Sequence, residues 1–351
     1  MKRLLNGIAL ATAVAVGPGI AQAEGPEKLD VASTFGKNNF LGQVAVRLGD
    51  EIELATNGKL RLEVHNPGDL VPALEVFDAV STGSLPAGWD WIGYWSDKVP
   101  VTKLFGSLPF GPTPEVFAGW MWEGGGLQIL QSAYDPYNLK VLPCLMNAQE
   151  TGGWFNKEIT SPKDYDGLRM RISGLGAKVI ERLGASPQLI PGAEIYTALE
   201  RGRIDATEFA NPRVDINMGF DEIAEYYYFP GWHQSASWMS LIINKDIWNQ
   251  YSAETQQRVV IACRSTLQWS MATNMAEQMR ALKKIEGRDV KVRRLPDSVL
   301  AALRDSWDTV RQEEMEANPL FAKAYKSLRD YQSLVNEWQE LQQLPRGGDG
   351  S

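Results

Sequence analysis

Between residues 28 and 83 the apolar spacing switches from two to about 3.6 and back, and this switching restricts the fold more than any other feature of the chain. KLDVAST (28–34) reads as a strand. The next segment, 40–55, places Leu41, Val44, Leu48, Ile52 and Ala55 on one helical face. TNGKLRLEVH turns at Asn57-Gly58 and continues as a strand with Leu60, Leu62 and Val64 on one side. ALEVFDAVSTG is a short helix closed by Gly83. This strand–helix–strand–helix order predicts an α/β sheet.

The pattern recurs further on. Residues 89–114, rich in Trp, Tyr, Gly and Pro, read as a loop region, followed by helical segments and a strand near 140–146. A second α/β run begins at GGWFNKEI (152–159). In GLRMRISG (167–174), Leu168, Met170 and Ile172 alternate with Arg169, Arg171 and Ser173, as in a half-buried strand. Helices are predicted near 176–183 and at 193–201, the second stopped by Gly202, and RIDATEF (203–209) reads as a strand. SWMSLIINKDIW (237–248) brings the chain back to a strand, and a long helix follows at about 253–285. The last helix carries a stripe of Phe321, Tyr325, Leu328, Val335, Trp338 and Leu341. Packing against its own domain is the favoured reading of that stripe; a homodimer formed through the C-terminal helix is the other.

The N-terminus looks like a targeting segment. Lys2 and Arg3 precede an apolar run, and Ala21-Gln22-Ala23 is an A-x-A signal, so cleavage is expected after Ala23. The run is too short to span a membrane, and an exported protein of the periplasm is the expectation. Cleavage would leave 328 of 351 residues, enough for two domains. It would also take the net charge from −8 to −10. With no Lys/Arg cluster, a nucleic-acid partner is not expected. Cys144 and Cys263 sit in apolar contexts, and both one bridge and two buried thiols remain open. No His/Cys cluster suggests zinc.

Catalytic patterns are weak. The two histidines, His65 and His233, accompany no G-x-S-x-G elbow, and the glycines at 124–126 and 174–176 fit neither a P-loop nor G-x-G-x-x-G. The aromatic clusters WDWIGYW (89–95) and YYYFPGW (226–232) suit a core or the wall of a small-ligand pocket. The arginines of the 167–174 strand suit an exposed face or a fork for a carboxylate.

The motifs GDLVPALEVFDAVSTG (68–83), GGWFNKEI, GLRMRISGLGAKVIERLGASPQLIPGAEIYTALERGRIDATEF (167–209) and YYYFPGWHQ (226–234) together resemble those of TRAP transporter solute-binding proteins of the DctP family. They are most similar to the branch that binds 2-oxo acids and related monocarboxylates. The resemblance implies an α/β, two-lobed periplasmic binding protein with an interlobe cleft and a long connecting helix. One lobe would take 24–147 and about 235–275. The other would take 148–234 and part of the C-terminal region, with helices over 298–344 and a disordered tail at 345–351. It further implies that Arg171 pairs with the solute carboxylate, with Arg169 farther along the cleft. A bridging cation, Na⁺ or Ca²⁺, would be held by Glu150, Glu208, the carbonyl of Phe209 and Gln234. Relative to the branch pattern, glutamine and glutamate have changed places at Glu150 and Gln234, and Phe209 stands where Trp is common. Tyr94, Trp95 and Trp232 are wall candidates. The implied partners are a small carboxylate solute and the membrane subunits of a TRAP permease. The alternatives are metal-free binding of a hydroxy acid, pyroglutamate or a dicarboxylate, a sensory partner that presents the same solute to a membrane receptor, and a secreted hydrolase using Glu150 and Glu208 as an acid/base pair.

Overall fold

The structure, a computed structural model, describes residues 27–344. The leader read at 1–23 and the tail read at 345–351 lie outside the described residues. The chain begins a first sheet with β1 (Glu27–Ser33), β2 (Leu60–His65), β3 (Ala87–Trp91) and β4 (Leu139–Asn147). It then builds β5 (Gly153–Phe155), β6 (Arg169–Arg171), β7 (Ser186–Gln188), β8 (Ala206–Thr207) and β9 (Tyr226–Phe229) in a second sheet. It returns to the first sheet as β10 (Ser237–Asn244) and ends in the second as β11 (Lys291–Arg294). The orders are β2-β1-β3-β10-β4 and β11-β9-β5-β8-β6-β7. β1 runs parallel to β2 and β3, whereas β10 is antiparallel to β3 and β4. The α/β class and the two-lobed plan expected from the sequence are what the fold shows.

The helix Phe40–Ala55 starts where the Asn39 side chain accepts the Gly42 N–H at 3.1 Å. Its Leu41, Val44, Leu48 and Ile52 are buried, as the spacing predicts. The reading of 89–114 as loop is corrected. Ala87–Trp91 is the middle strand of the first sheet, and the helix Thr102–Gly106 follows. Every residue of AGWDW is buried. A strand covered on both faces shows no alternation, so periodicity could not reveal it. RIDATEF is also corrected: only Ala206–Thr207 pairs as a strand.

Two segments cross between the sheets, 148–152 from β4 to β5 and 230–236 from β9 to β10. They run side by side, and the Glu150 N–H donates to the Gln234 carbonyl at 3.1 Å. Gly231 lets them approach: a Cβ there would lie 2.2 Å from the Glu150 carbonyl oxygen. The helix Ala253–Glu286 backs both units. It packs on β4 and on Phe40–Ala55, and Gln278 near its far end accepts the Arg213 N–H at 3.0 Å. A Cys144–Cys263 disulfide ties β4 to this helix. The helix Asp297–Ala317 packs on the helix Gly174–Glu181, and Pro319–Leu341 turns back to the helices Pro114–Glu123 and Gly126–Tyr134. Among the described residues no helix is long and apolar enough to cross a membrane.

Candidate functional site

β6 sets its two arginines apart by one step of strand geometry and one of depth. Met170 between them is buried in the core. Arg169 lies at the rim with 46% of its side chain exposed, and it pairs with Asp205 through Nε at 2.9 Å and Nη2 at 2.5 Å. Arg171 is 2% exposed. Its Nε donates to the Ile190 carbonyl at 3.1 Å, and its Nη1 donates to the Glu208 carbonyl and to Glu208 Oε1, both at 2.9 Å. Among the described residues the bonds of Arg171 run from Nε and Nη1, and Tyr94 faces the same guanidinium. The peripheral place expected of Arg169 and the inward place expected of Arg171 are both observed.

Glu208 follows β8 directly and faces Arg171. Its Oε1 also accepts the Ser173 N–H at 3.0 Å. Glu150 comes from one crossing segment and Gln234 from the other. Glu150 Oε1 accepts from Asn147 Nδ2 at 3.0 Å and from the Gln234 amide. Asn211 in turn holds Asn147, donating to its Oδ1 at 3.0 Å. Burial pushes the Glu150 carboxyl well above the usual carboxylate range, and the Glu208 and Asp215 carboxylates add to the effect.

These polar groups meet in a cavity of about 20 Å³. Its lining includes Asn147, Glu150, Arg171, Ser173, Glu208 and Gln234. Aromatic rings close the other side. Phe35 stacks on Tyr94 with centroids 6.0 Å apart, Trp91 meets Tyr94 edge-on at 5.1 Å, and the Arg171 guanidinium lies 5.5 Å from the Phe209 ring centre. Burial raises the Tyr94 hydroxyl to about 12, with the Arg171 charge opposing the shift. A wider groove of about 580 Å³ runs along the long helix, but Met146, Met271, Met275, Met279 and Leu282 line much of it.

Two wall candidates are corrected. Trp95 points away and donates its indole N–H to Asp90, beneath Tyr94. Trp232 packs on Phe110, with centroids 6.1 Å apart, outside the cavity. One neighbour was overlooked in the sequence. His233, buried to 1% exposure, places Nε2 3.2 Å from Glu150 Oε2. Burial holds its imidazole below the ordinary histidine range. Only its place beside Gln234 in PGWHQ could have signalled it.

The donor set suits a cation. Ligand atoms of Glu150, Glu208 and His233 lie within 4.8 Å of one another. If both buried carboxyls ionise, they outnumber the one guanidinium facing them, and a bound cation would offset that excess. Such a cation would polarise solute oxygens and fix them beside Arg171.

The sequence model of the bacterial extracellular solute-binding proteins, family 7 (DctP), matches residues 31–318. The chain belongs to this family. The family is one of solute-binding proteins of transport, not of enzymes, so the hydrolase reading falls away. A monocarboxylate 2-oxoacid-binding periplasmic protein of Nostoc sp. is 31% identical over 305 residues, covering 87% of this chain and 83% of that protein. A TRAP transporter solute-binding protein of Bordetella bronchiseptica superposes with a TM-score of 0.87 at 30% identity, covering 91% of this chain and 95% of the other. It is a mixed-occupancy dimer with copurified calcium and picolinate in one active site and an apo site in comparison. A TRAP periplasmic solute-binding protein of Pseudoalteromonas atlantica, with bound sodium and pyruvate, gives 0.86 at 32% identity, covering 90% and 97%.

Proposed function

We propose that this protein captures a small monocarboxylate, a 2-oxo acid or a close analogue, in the cavity between its sheets and passes it to the membrane subunits of a TRAP permease. The observation that carries the reading is Arg171: a guanidinium 2% exposed that lines the cavity opposite two buried glutamates, its bonds to acceptors among the described residues made through Nε and Nη1. A buried carboxylate needs such a partner. Glu150, Glu208, the Phe209 carbonyl and Gln234 would hold a Na⁺ or Ca²⁺ ion that bridges the solute. Pyruvate and picolinate, the ligands of the two solved relatives, each set a second donor atom next to a carboxylate. That shared feature suits chelation of a cation. The cavity is small, about 20 Å³. This favours three- or four-carbon acids over a sugar acid.

The lobes would divide as 24–147 with about 235–275, and 148–234 with part of the C-terminal region, so the site sits on the two crossing segments. Action in the periplasm after cleavage at Ala23 fits the leader pattern and the family. A homodimer would use the C-terminal helix, whose outer half leaves Leu334, Trp338 and Leu341 exposed.

A thermal-shift series on the mature protein tests the solute. Pyruvate, lactate, pyroglutamate and succinate would each be offered with Na⁺, with Ca²⁺ and with chelator. A ligand that binds only the folded state raises the melting temperature. The expected result is a rise for pyruvate that depends on cation. A rise with lactate or pyroglutamate that ignores cation would favour metal-free binding, with the Glu150 carboxylate accepting a hydrogen bond from the solute. No rise with any acid would sink the reading.

A further inference from the structure

Two pockets share one wall. The inner cavity, about 20 Å³, holds Arg171 and the two glutamates. A second pocket of about 310 Å³ lies against it, with Thr34, Asn39, Tyr196 and Met218 in its lining. Asn38 and Asn217, also in that lining, are exposed, so the second pocket opens to water. Phe35 and Phe209 line both pockets. Each stands two residues past a strand, Phe35 after β1 of the first sheet and Phe209 after β8 of the second. Their ring centroids are 6.4 Å apart, and both side chains are buried. Local contacts hold the rings there. Ser33 Oγ accepts the Phe35 N–H at 3.1 Å and donates to the Phe35 carbonyl at 2.7 Å, and the Phe35 ring stacks on Tyr94. Phe209 spans the wall: its ring centre is 5.5 Å from the Arg171 guanidinium on the inner side, and a Cβ on Gly192 of the outer pocket would lie 2.7 Å from its edge.

We propose that Phe35 and Phe209 form a gate, one ring from each sheet's unit, that sets the chain length of the solute. Closed, the gate confines the solute to the inner cavity and so to short acids. Parted or trimmed, it joins the two pockets, and the tail of a longer 2-oxo acid enters the outer one while its carboxylate stays on Arg171. The inference rests on the solute-capture reading and adds to it the groups that select among 2-oxo acids. The outer pocket, about 310 Å³, has the size of a small-ligand site. None of the described residues that line it is charged. It therefore suits a neutral chain and offers no partner to a second carboxylate. Each methylene that leaves water for such a pocket strengthens binding about fourfold, whereas a chain stopped by the closed rings gains nothing and crowds the inner cavity.

Calorimetry on the mature protein compares pyruvate, 2-oxovalerate, 2-oxohexanoate and 2-oxoglutarate in the wild type, Phe209→Ala and Phe35→Ala. The wild type should bind 2-oxohexanoate at least about tenfold more weakly than pyruvate. Each variant should raise the affinity for 2-oxohexanoate relative to pyruvate by at least about tenfold, as the added methylenes become buried, and 2-oxoglutarate should not share the gain. The ratio is the readout, because a cleft that is merely loosened weakens every acid alike. Phe209→Leu and Phe35→Leu, which keep an apolar side chain, stand in for an alanine variant that does not fold and should move the ratio the same way by a smaller factor. An unchanged ratio in folded variants at either position, wild-type binding of 2-oxohexanoate as tight as that of pyruvate, or an equal gain for 2-oxoglutarate would overturn the gate and leave pyruvate capture standing. A wild type that binds none of these acids removes the solute reading itself, and the gate with it.

Discussion

At the scale of single residues, Arg171 and Asp90 make opposite use of burial. Arg171 is buried among acceptors that take its Nε and Nη1 while the guanidinium still lines the cavity. Arg171→Ala removes the partner of a buried solute carboxylate, and the expected loss of solute binding is on the order of 3–5 kcal/mol, read by calorimetry with pyruvate. Wild-type affinity in that variant would refute the role. Asp90 sits inside the first sheet, where burial raises its carboxyl to about 7 against hydrogen bonds from Ser240 and Trp95. A folded-state value raised from 3.8 gives stability that is present below about pH 4 and lost as the pH climbs to about 7. Asp215, raised to about 7 by burial beside Trp154 and Tyr227, acts in the same direction. Asp90→Asn should therefore lessen the fall in melting temperature between pH 4 and 7, and an unchanged slope would refute the assignment. Strand parity made Arg171 a candidate and the family resemblance chose it. His233 escaped because its partners, Glu150 and Glu208, are 83 and 25 positions away in the chain and meet it only where the crossing segments run together.

Among elements, the helix Asp297–Ala317 braces the two lobes. Its Glu314, 3% exposed, accepts from Lys103 Nζ at 2.9 Å and from Lys178. Lys103 belongs to the helix Thr102–Gly106 of the first-sheet unit, and Lys178 to the helix Gly174–Glu181 of the second. Burial alone would raise the Glu314 carboxyl, but the two lysines hold it below the usual range. One carboxylate thus joins both sides of the cleft. Glu314→Gln should weaken solute binding by about 1.5–3 kcal/mol, mainly through faster release, with the cavity contacts untouched. Stopped-flow dissociation measures this, and an unchanged release rate would show that the brace does not hold the lobes together. Elements of this kind differ in how far sequence reveals them. Phe40–Ala55 was legible because one face is buried and the other is not. The strand Ala87–Trp91 was not, because both of its faces are covered. Ala206–Thr207 is too short for any period to register.

For the whole molecule, the question is what the outer half of the last helix does. Pro319–Leu341 buries Phe321, Ala324 and Leu328 against its own fold, as the favoured reading of its stripe expected. Beyond Leu328 the cover thins: Val335 of the stripe is half-buried, whereas Trp338 is 63% exposed, Leu341 80% and the neighbouring Leu334, outside the stripe, 66%. Positions 334, 338 and 341 follow one helical face, so these side chains form a continuous apolar strip rather than scattered surface residues. A second copy of the chain would cover such a strip at no cost in new sequence, because each copy would offer the same face to the other. The strip lies away from the cavity lining, so breaking it should leave solute binding alone. Trp338→Glu combined with Leu341→Glu is expected to halve the mass seen by light scattering while the pyruvate thermal shift stays as in the wild type. A wild-type protein that runs as a monomer across a range of concentrations would refute the dimer and return the strip to solvent. A variant that loses both mass and solute response would instead tie assembly to the cleft.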